Sequence, residues 1–119
     1  MIASKRAYEP AERSDGYRVL IDRLWPRGVS KSRAHLDAWA KEVAPSAELR
    51  RWYGHEPSKW REFKSRYLKE LRAPAAQAVL DDLVRRAKRG RVTLVYGSRA
   101  AEISDVAVIE QKLLRRLRK

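Results

Sequence analysis

The sequence predicts a single α/β domain over residues 1–119, built on a small three-stranded, mostly parallel sheet with helical crossovers and a helical insertion. Three observations predict it. Strand-type runs stand at Ile2 to Ala7, Tyr17 to Asp22 and Arg91 to Tyr96. Apolar residues recur at helical spacing between the second and third of these runs. A last helical stripe follows the third run and closes the alternation of strand and helix.

Along the chain, Ile2 to Ala7 is the first strand. Tyr8 to Gly16 follows as a polar loop, with Pro10 and Ser14-Asp15-Gly16 as turn residues. Tyr17 to Asp22 is nearly continuous in apolar residues, as expected of a strand covered on both faces. Arg33 to Val43 carries Leu36, Trp39, Ala40 and Val43 at helical spacing, and Pro45 ends it. Ser46 then has the chemistry of an N-cap, with Glu48 in the first turn of a short helix that stops at Gly54. Pro57 suits a first helical position. Beyond it, Trp60, Phe63, Tyr67, Leu68 and Leu71 form one stripe. Pro74 opens the next helix, whose stripe is Val79, Leu80, Leu83, Val84 and Ala87, closed by Gly90. The third strand, Arg91 to Tyr96, runs into Gly97-Ser98-Arg99. Ser104 caps the final helix, with Ile103 and Val108 placed as a hydrophobic staple and Val106, Ile109, Leu113, Leu114 and Leu117 as its buried stripe.

Composition narrows the function classes. The absence of cysteine removes disulfides, thiolate metal ligands and cysteine nucleophiles, and it suits the cytoplasm. Met1 to Arg6 lacks the apolar core of a signal peptide, and no apolar run approaches membrane-spanning length, so no membrane association is expected. His35 and His55 stand far apart, so no metal site is expected and no cofactor is implied. The chain has no G-x-S-x-G elbow, phosphate-binding P-loop or G-x-G-x-x-G turn. Asp22, Asp37 and Asp105 each offer a base, but no spacing selects one, and Asp81-Asp82 reads as a solvated face.

With 28 Lys and Arg against 15 Asp and Glu, the net charge of +13 favours anionic partners. Two basic runs, 85–91 and 112–119, fall near helix C-termini, where cations also complement the helix dipole. The charge therefore supports three partners: an anionic small molecule, a nucleic-acid phosphate bound by an accessory protein, or an acidic protein docked on an interaction module.

Candidate binding residues gather where ligands collect in open α/β sheets, at the carboxyl ends of parallel strands. Asp22, Arg23, Trp25, Arg27 and Lys31 follow the second strand, while Tyr96, Ser98 and Arg99 lie at the end of the third. If those strands are parallel neighbours, the two groups open on one edge as a basic pocket holding a carboxylate, since guanidinium forks suit phosphate or carboxylate. The plainer account has Asp22 pairing with an arginine and Gly97 allowing a turn. Ser46 and Arg50 form a second anion candidate at a helix N-terminus, against an ordinary N-cap. Of the tryptophans, Trp39 and Trp60 fit apolar stripes, whereas Trp25 is placed to wall a pocket and Trp52 is uncommitted.

The segment Arg23-Leu-Trp-Pro-Arg-Gly28 resembles the YeaO-like branch of the bacterial domain-of-unknown-function family 488. The resemblance continues through Tyr8, Ser14 to Asp22, Lys31, Asp37-Ala-Trp39, Lys41-Glu42, Ala44-Pro-Ser46 and Glu48-Leu-Arg50. It extends through Trp60, Phe63, Arg66-Tyr67, Glu70-Leu71 and Val92 to Tyr96. It implies a small cytoplasmic α/β domain and makes Arg23, Arg27 and Lys41 family features. The pattern usually carries an Asn-His pair at the start of the last helix and an acidic residue soon after the third strand. Here Ser104-Asp105 and Ala100 stand in those places, so a catalytic role carried by that histidine would be absent. Binding of a phosphorylated or nucleotide-like molecule by the arginine-lined pocket is the expected function, and no reaction is specified.

Overall fold

The computed structural model describes residues 1–118, and Lys119 of the second basic run lies outside them. The strands are β1 (Ile2–Arg6), β2 (Tyr17–Leu20), β3 (Ala38–Trp39) and β4 (Val92–Tyr96). The helices are α1 (Lys31–Ala34), α2 (Ala47–Tyr53), α3 (Trp60–Glu70), α4 (Pro74–Arg89) and α5 (Asp105–Leu117). Four strands form one sheet in the order β1-β4-β2-β3, and every pairing is parallel. β4 therefore sits inside the sheet and is buried at all five positions, as its β-branched, mostly apolar run suits, with the Thr93 hydroxyl donating to the Asp15 carbonyl at 2.6 Å.

The fourth strand corrects the expectation of three. Residues 33–43, expected as one helix, divide into the end of α1, the two-residue β3 and a 3-10 turn at Lys41–Val43. His35 ends α1 in the left-handed region at φ 44°, a conformation histidine adopts more readily than most side chains. The next residues then bond across to β2. The Asp37 amide donates to the Arg18 carbonyl at 2.8 Å, the Arg18 amide to Asp37 Oδ2 at 2.8 Å, and the Ala40 amide to the Leu20 carbonyl at 2.8 Å. Helical spacing of Leu36, Trp39, Ala40 and Val43 was thus overridden by long-range pairing, which local periodicity does not encode.

Alternation along β2 and β4 divides the core. Val19, Ile21, Leu94 and Tyr96 belong to the large cluster with residues of α2–α5, including Leu49, Phe63, Tyr67, Leu80, Leu83, Ile109 and Leu113. Leu20 and Val95 belong to the opposite cluster with Ala7, Val29 and Ala34, which Trp25, Leu36 and Trp39 cover. Each fully buried Leu, Ile or Phe contributes about 2 kcal/mol. In α5 the buried positions are Val106, Val108, Ile109 and Leu113, while Leu114, expected inside, is 40% exposed.

The loop before β2 is more than a turn. Asp15 and Arg18 are buried together. Arg18 Nη1 donates to Asp15 Oδ2 at 2.7 Å, Lys5 Nζ lies 2.9 Å from Asp15 Oδ1, and the Glu12 amide donates to Asp15 Oδ2 at 3.0 Å. Arg18 spends its remaining fork on the Ala34 carbonyl, with Nε at 3.1 Å and Nη2 at 2.9 Å. This network ties β1, β2 and α1 and aims β2 at the segment that follows it.

Candidate ligand-binding cleft

β2 and β4 are parallel neighbours, with Val19 opposite Leu94 and Leu20 opposite Val95, so their carboxyl ends open on the same edge. A cleft of about 500 Å³ lies there, within the range of small-molecule sites. Its walls come from the 22–26 segment after β2, from α2 and residues 54–55, from Phe63, from Gly97-Ser98 after β4, and from Ser104-Asp105 at the start of α5.

The two strand ends are joined by Asp22, whose Oδ2 accepts the Gly97 amide at 2.8 Å. A side chain at Gly97 would bring its Cβ to 3.4 Å from that oxygen, so the strand ends approach closely. Arg6 holds the β4 end from the other side, with Nη2 donating to the Gly97 carbonyl at 3.0 Å and Nε to the Ser98 carbonyl at 3.1 Å. Arg23 is oriented by its Nε, which donates to the Pro45 carbonyl at 3.0 Å. Arg50 and Arg51 reach the cleft from α2, and among the described residues neither they nor Arg23 form an ion pair with a carboxylate.

The aromatic walls present rings and keep their polar atoms for the protein. Trp25 Nε1 donates to the Val29 carbonyl at 2.6 Å, and its ring meets Trp39 edge-on at 5.5 Å between centroids. Trp39 Nε1 in turn donates to the Asp22 carbonyl at 2.7 Å. The Tyr53 hydroxyl donates to the Ile103 carbonyl at 2.5 Å, and its ring stacks on Phe63 at 4.2 Å. Gly54 and His55 take successive left-handed conformations at φ 53° and 56°, turning His55 to the cleft at the end of α2.

Two carboxyls of the cleft lining meet, Asp22 and Asp105. Burial pushes the Asp105 carboxyl well above the usual carboxylate range, and hydrogen bonding and charge from Asp22 add to the rise. The backbone amides of Asp105 and Val106 act the other way and do not outweigh it. The Tyr67 hydroxyl, donating to the Val43 carbonyl, is raised by its burial and by the charges of Asp105, Asp22 and Glu70. The acidic pair thus borders the core.

Of the residues expected at a site, Asp22, Arg23, Trp25, Arg50 and Ser98 converge on the cleft. The rest do not line it. Arg27, Lys31 and Arg99 are exposed elsewhere, and Tyr96 is buried in β4. Lys41 lies over the Trp39 ring at 4.0 Å. At Ser46, the second anion candidate, the protein supplies its own anion. Glu70 accepts the Ser46 amide at 2.8 Å and the hydroxyl at 2.6 Å, while Ser46 Oγ caps the Leu49 amide at 3.1 Å. Parts of the basic runs are likewise engaged, since Arg86 pairs with Asp82 over the Tyr17 ring and Arg116 pairs with Asp81.

Arg51, Tyr53, His55, Phe63 and Asp105 line the cleft without having been expected there. Their sequence signals were the Gly54 stop, which sets where α2 ends, and the Ser104-Asp105 pair at the head of the last helix.

The profile of a family described as the inactive DUF488-N3 subclade matches residues 1–119. The chain belongs to this subclade. Its relatives include Mb3100c of Mycobacterium bovis, 45% identical over 108 residues that cover 91% of this chain and 89% of the relative. Rv3073c of Mycobacterium tuberculosis matches to the same extent. YeaO of Escherichia coli is 44% identical over 99 residues, 82% of this chain and 84% of its own. No solved structure matches the chain. Among the described residues of this DUF488-N3 chain, no helix is long and apolar enough to cross a membrane.

The acidic pair has a measurable cost. A carboxyl raised in the folded state contributes stability that is present below its unfolded value, about 3.9, and lost as pH rises through the folded value. Asp105→Asn is therefore expected to stabilise the protein by about 1 kcal/mol near neutral pH, roughly 3–6 °C in Tm, with the gain vanishing below about pH 4. Thermal melts across this range check it, and a variant that melts below wild type at about pH 8 would contradict it.

Proposed function

We propose that the cleft at the ends of β2 and β4 binds a small molecule bearing a phosphate or carboxylate, and that the protein works by binding rather than by turnover. The observation that carries this reading is the convergence of Arg23, Arg50 and Arg51 on one cleft without carboxylate partners among the described residues. Guanidinium forks offer an anion charge-assisted hydrogen bonds of about 1.5–3 kcal/mol each. Two of the exposed large hydrophobics, Tyr8 at 43% and Leu24 at 58%, also line this cleft, as expected of a surface reserved for a ligand.

The description of the family as inactive supports binding over chemistry. Ser98, the hydroxyl nearest the strand ends, accepts the Ala100 amide at 3.2 Å and so helps to shape its own turn. Titration calorimetry with ribose 5-phosphate tests the reading. Arg23→Ala and Arg51→Ala are each expected to weaken binding by about tenfold or more. Equal affinities in wild type and both variants would sink it.

A further inference from the structure

We propose that the outer face of the α4–α5 pair binds the phosphate backbone of double-stranded nucleic acid, without regard to base sequence and apart from the cleft.

The topology gathers the two basic runs. Residues 85–91 and 111–118 contain nine Lys and Arg and no Asp or Glu. α4 passes into β4 through Gly90 and Arg91 alone, so its basic end lies at the amino edge of the sheet. The Tyr17 amide, at the start of β2, donates to the Arg91 carbonyl there at 2.9 Å. α5 begins at the cleft with Asp105 and runs away from it. The two helices share the large core cluster and meet where Arg116 pairs with Asp81. Both basic runs thus come together toward the end of the molecule opposite the cleft.

Helical spacing places the individual charges. Arg85 and Lys88 follow Asp81 by four and seven residues, so they continue the stripe of α4 that faces α5. Lys112 precedes Arg116 by four, on the stripe of α5 that faces α4. Lys88, Arg89, Arg115 and Arg118 are exposed. Asp81 and Asp82, the acids of α4, are already paired with Arg116 and Arg86, and Glu110 of α5 lies about 120° round the helix from Arg116. Among the described residues Lys88, Arg89, Lys112, Arg115 and Arg118 form no ion pair. The helix dipoles place only about half a negative charge at each C-terminus, which these cations outweigh.

The chemistry of the face selects the partner. Neither α4 nor α5 carries an aromatic residue, so there is no ring here for an unpaired base to stack on. Leu114 is the exposed large apolar side chain of these helices, too little to enter a lipid surface. Charge without rings or an apolar anchor suits a regular array of phosphates, which a duplex presents.

The test is fluorescence anisotropy with two DNA duplexes of different sequence, each of about 20 base pairs, from about 50 to 200 mM salt. Both are expected to bind within about threefold of each other, with a log–log salt slope of about −2.7 to −5.4, the range for three to six phosphates at about −0.9 each. The triple variant Lys88→Ala, Arg89→Ala, Arg115→Ala is expected to bind about tenfold or more weakly, with a slope shallower by about 2.7. The control removes the same charge elsewhere, through Arg27→Ala, Lys31→Ala and Arg33→Ala, all exposed. It is expected to stay within about threefold of wild type. Thermal melts establish that both variants are folded. Equal losses in the two triple variants would reduce the effect to net charge and overturn the proposal. So would an absence of duplex binding at the lowest salt, or a single strand of equal length binding more tightly than either duplex. Sedimentation with phosphatidylcholine vesicles carrying about one-third phosphatidylserine covers the lipid alternative. Binding to these vesicles without binding to duplex would make the partner a membrane and overturn the proposal as well.

Discussion

Replacing Asp15 by asparagine is expected to destabilise the protein by about 3–5 kcal/mol, roughly 10–20 °C in Tm. The reason is the partner left behind. Arg18 is only 3% exposed, and its Nη1 has Asp15 Oδ2 as its acceptor at 2.7 Å. Removing the charge strands a buried guanidinium, a larger cost than the net worth of the pair. The effect also has a pH signature. Burial alone would push the Asp15 carboxyl up, but the Glu12 amide and the Lys5 and Arg18 side chains hold it below the usual carboxylate range. A carboxyl depressed in the folded state stabilises above its unfolded value, about 3.9, and loses that contribution as pH falls through its folded value. The gap between wild type and Asp15→Asn should therefore be full near neutral pH and close as the solution is acidified below about pH 4. Urea unfolding at several pH values measures it, and a gap of less than 1 kcal/mol at neutral pH would mean that Arg18 finds another partner.

The neighbouring residue carries the second large effect. Gly16→Ala is expected to cost about 3 kcal/mol or more, from two causes acting together. Gly16 sits at φ 67°, in the left-handed region, and a Cβ there would lie 2.3 Å from the Arg91 carbonyl oxygen. That oxygen is not free to move away. It accepts the Tyr17 amide at 2.9 Å, a hydrogen bond at the point where β2 first meets β4. Relieving the clash would loosen the pairing that sets the two strand ends beside each other. The variant should consequently unfold at lower urea, and its anion affinity should fall more than a distant surface mutation would allow. A melting temperature within 2–3 °C of wild type, less than 1 kcal/mol for a domain of this size, would show that the backbone yields without penalty.

Both effects sit in Ser14-Asp15-Gly16, which by sequence alone reads as a polar turn. The turn is there, but its polarity is turned inward. Nothing in the local pattern separates an aspartate facing water from one that accepts from Arg18, Lys5 and the Glu12 amide, because Lys5 comes from another strand. The site shows the same division. Arg23, Trp25 and Asp22 could be assigned to a strand-end pocket because they follow β2 directly, and Ser98 because it follows β4. Lys31 and Arg27 follow the same strand but leave the edge as the chain turns into α1, so nearness in sequence overstated their share. Ser46 was correctly an N-cap, yet its anion proved to be Glu70, twenty-four residues away on α3.

What the sequence determined by itself is whatever repeats locally. The stripes of α3 and α4, the apolar runs of β2 and β4, the caps at Ser46 and Gly54 and the strand-end position of Asp22 and Arg23 all follow from period, turn chemistry and chain order. Only the tertiary structure decided which separate pieces meet. It drew Ala38-Trp39 out of a helical pattern into the sheet, brought Asp105 at the head of α5 against Asp22, and set Arg51 and Tyr53 of α2 facing the ends of β2 and β4. Such meetings are settled by burial and hydrogen bonding between segments tens of residues apart. A pattern read along one segment carries the face it will bury, not the partner it will bury it against.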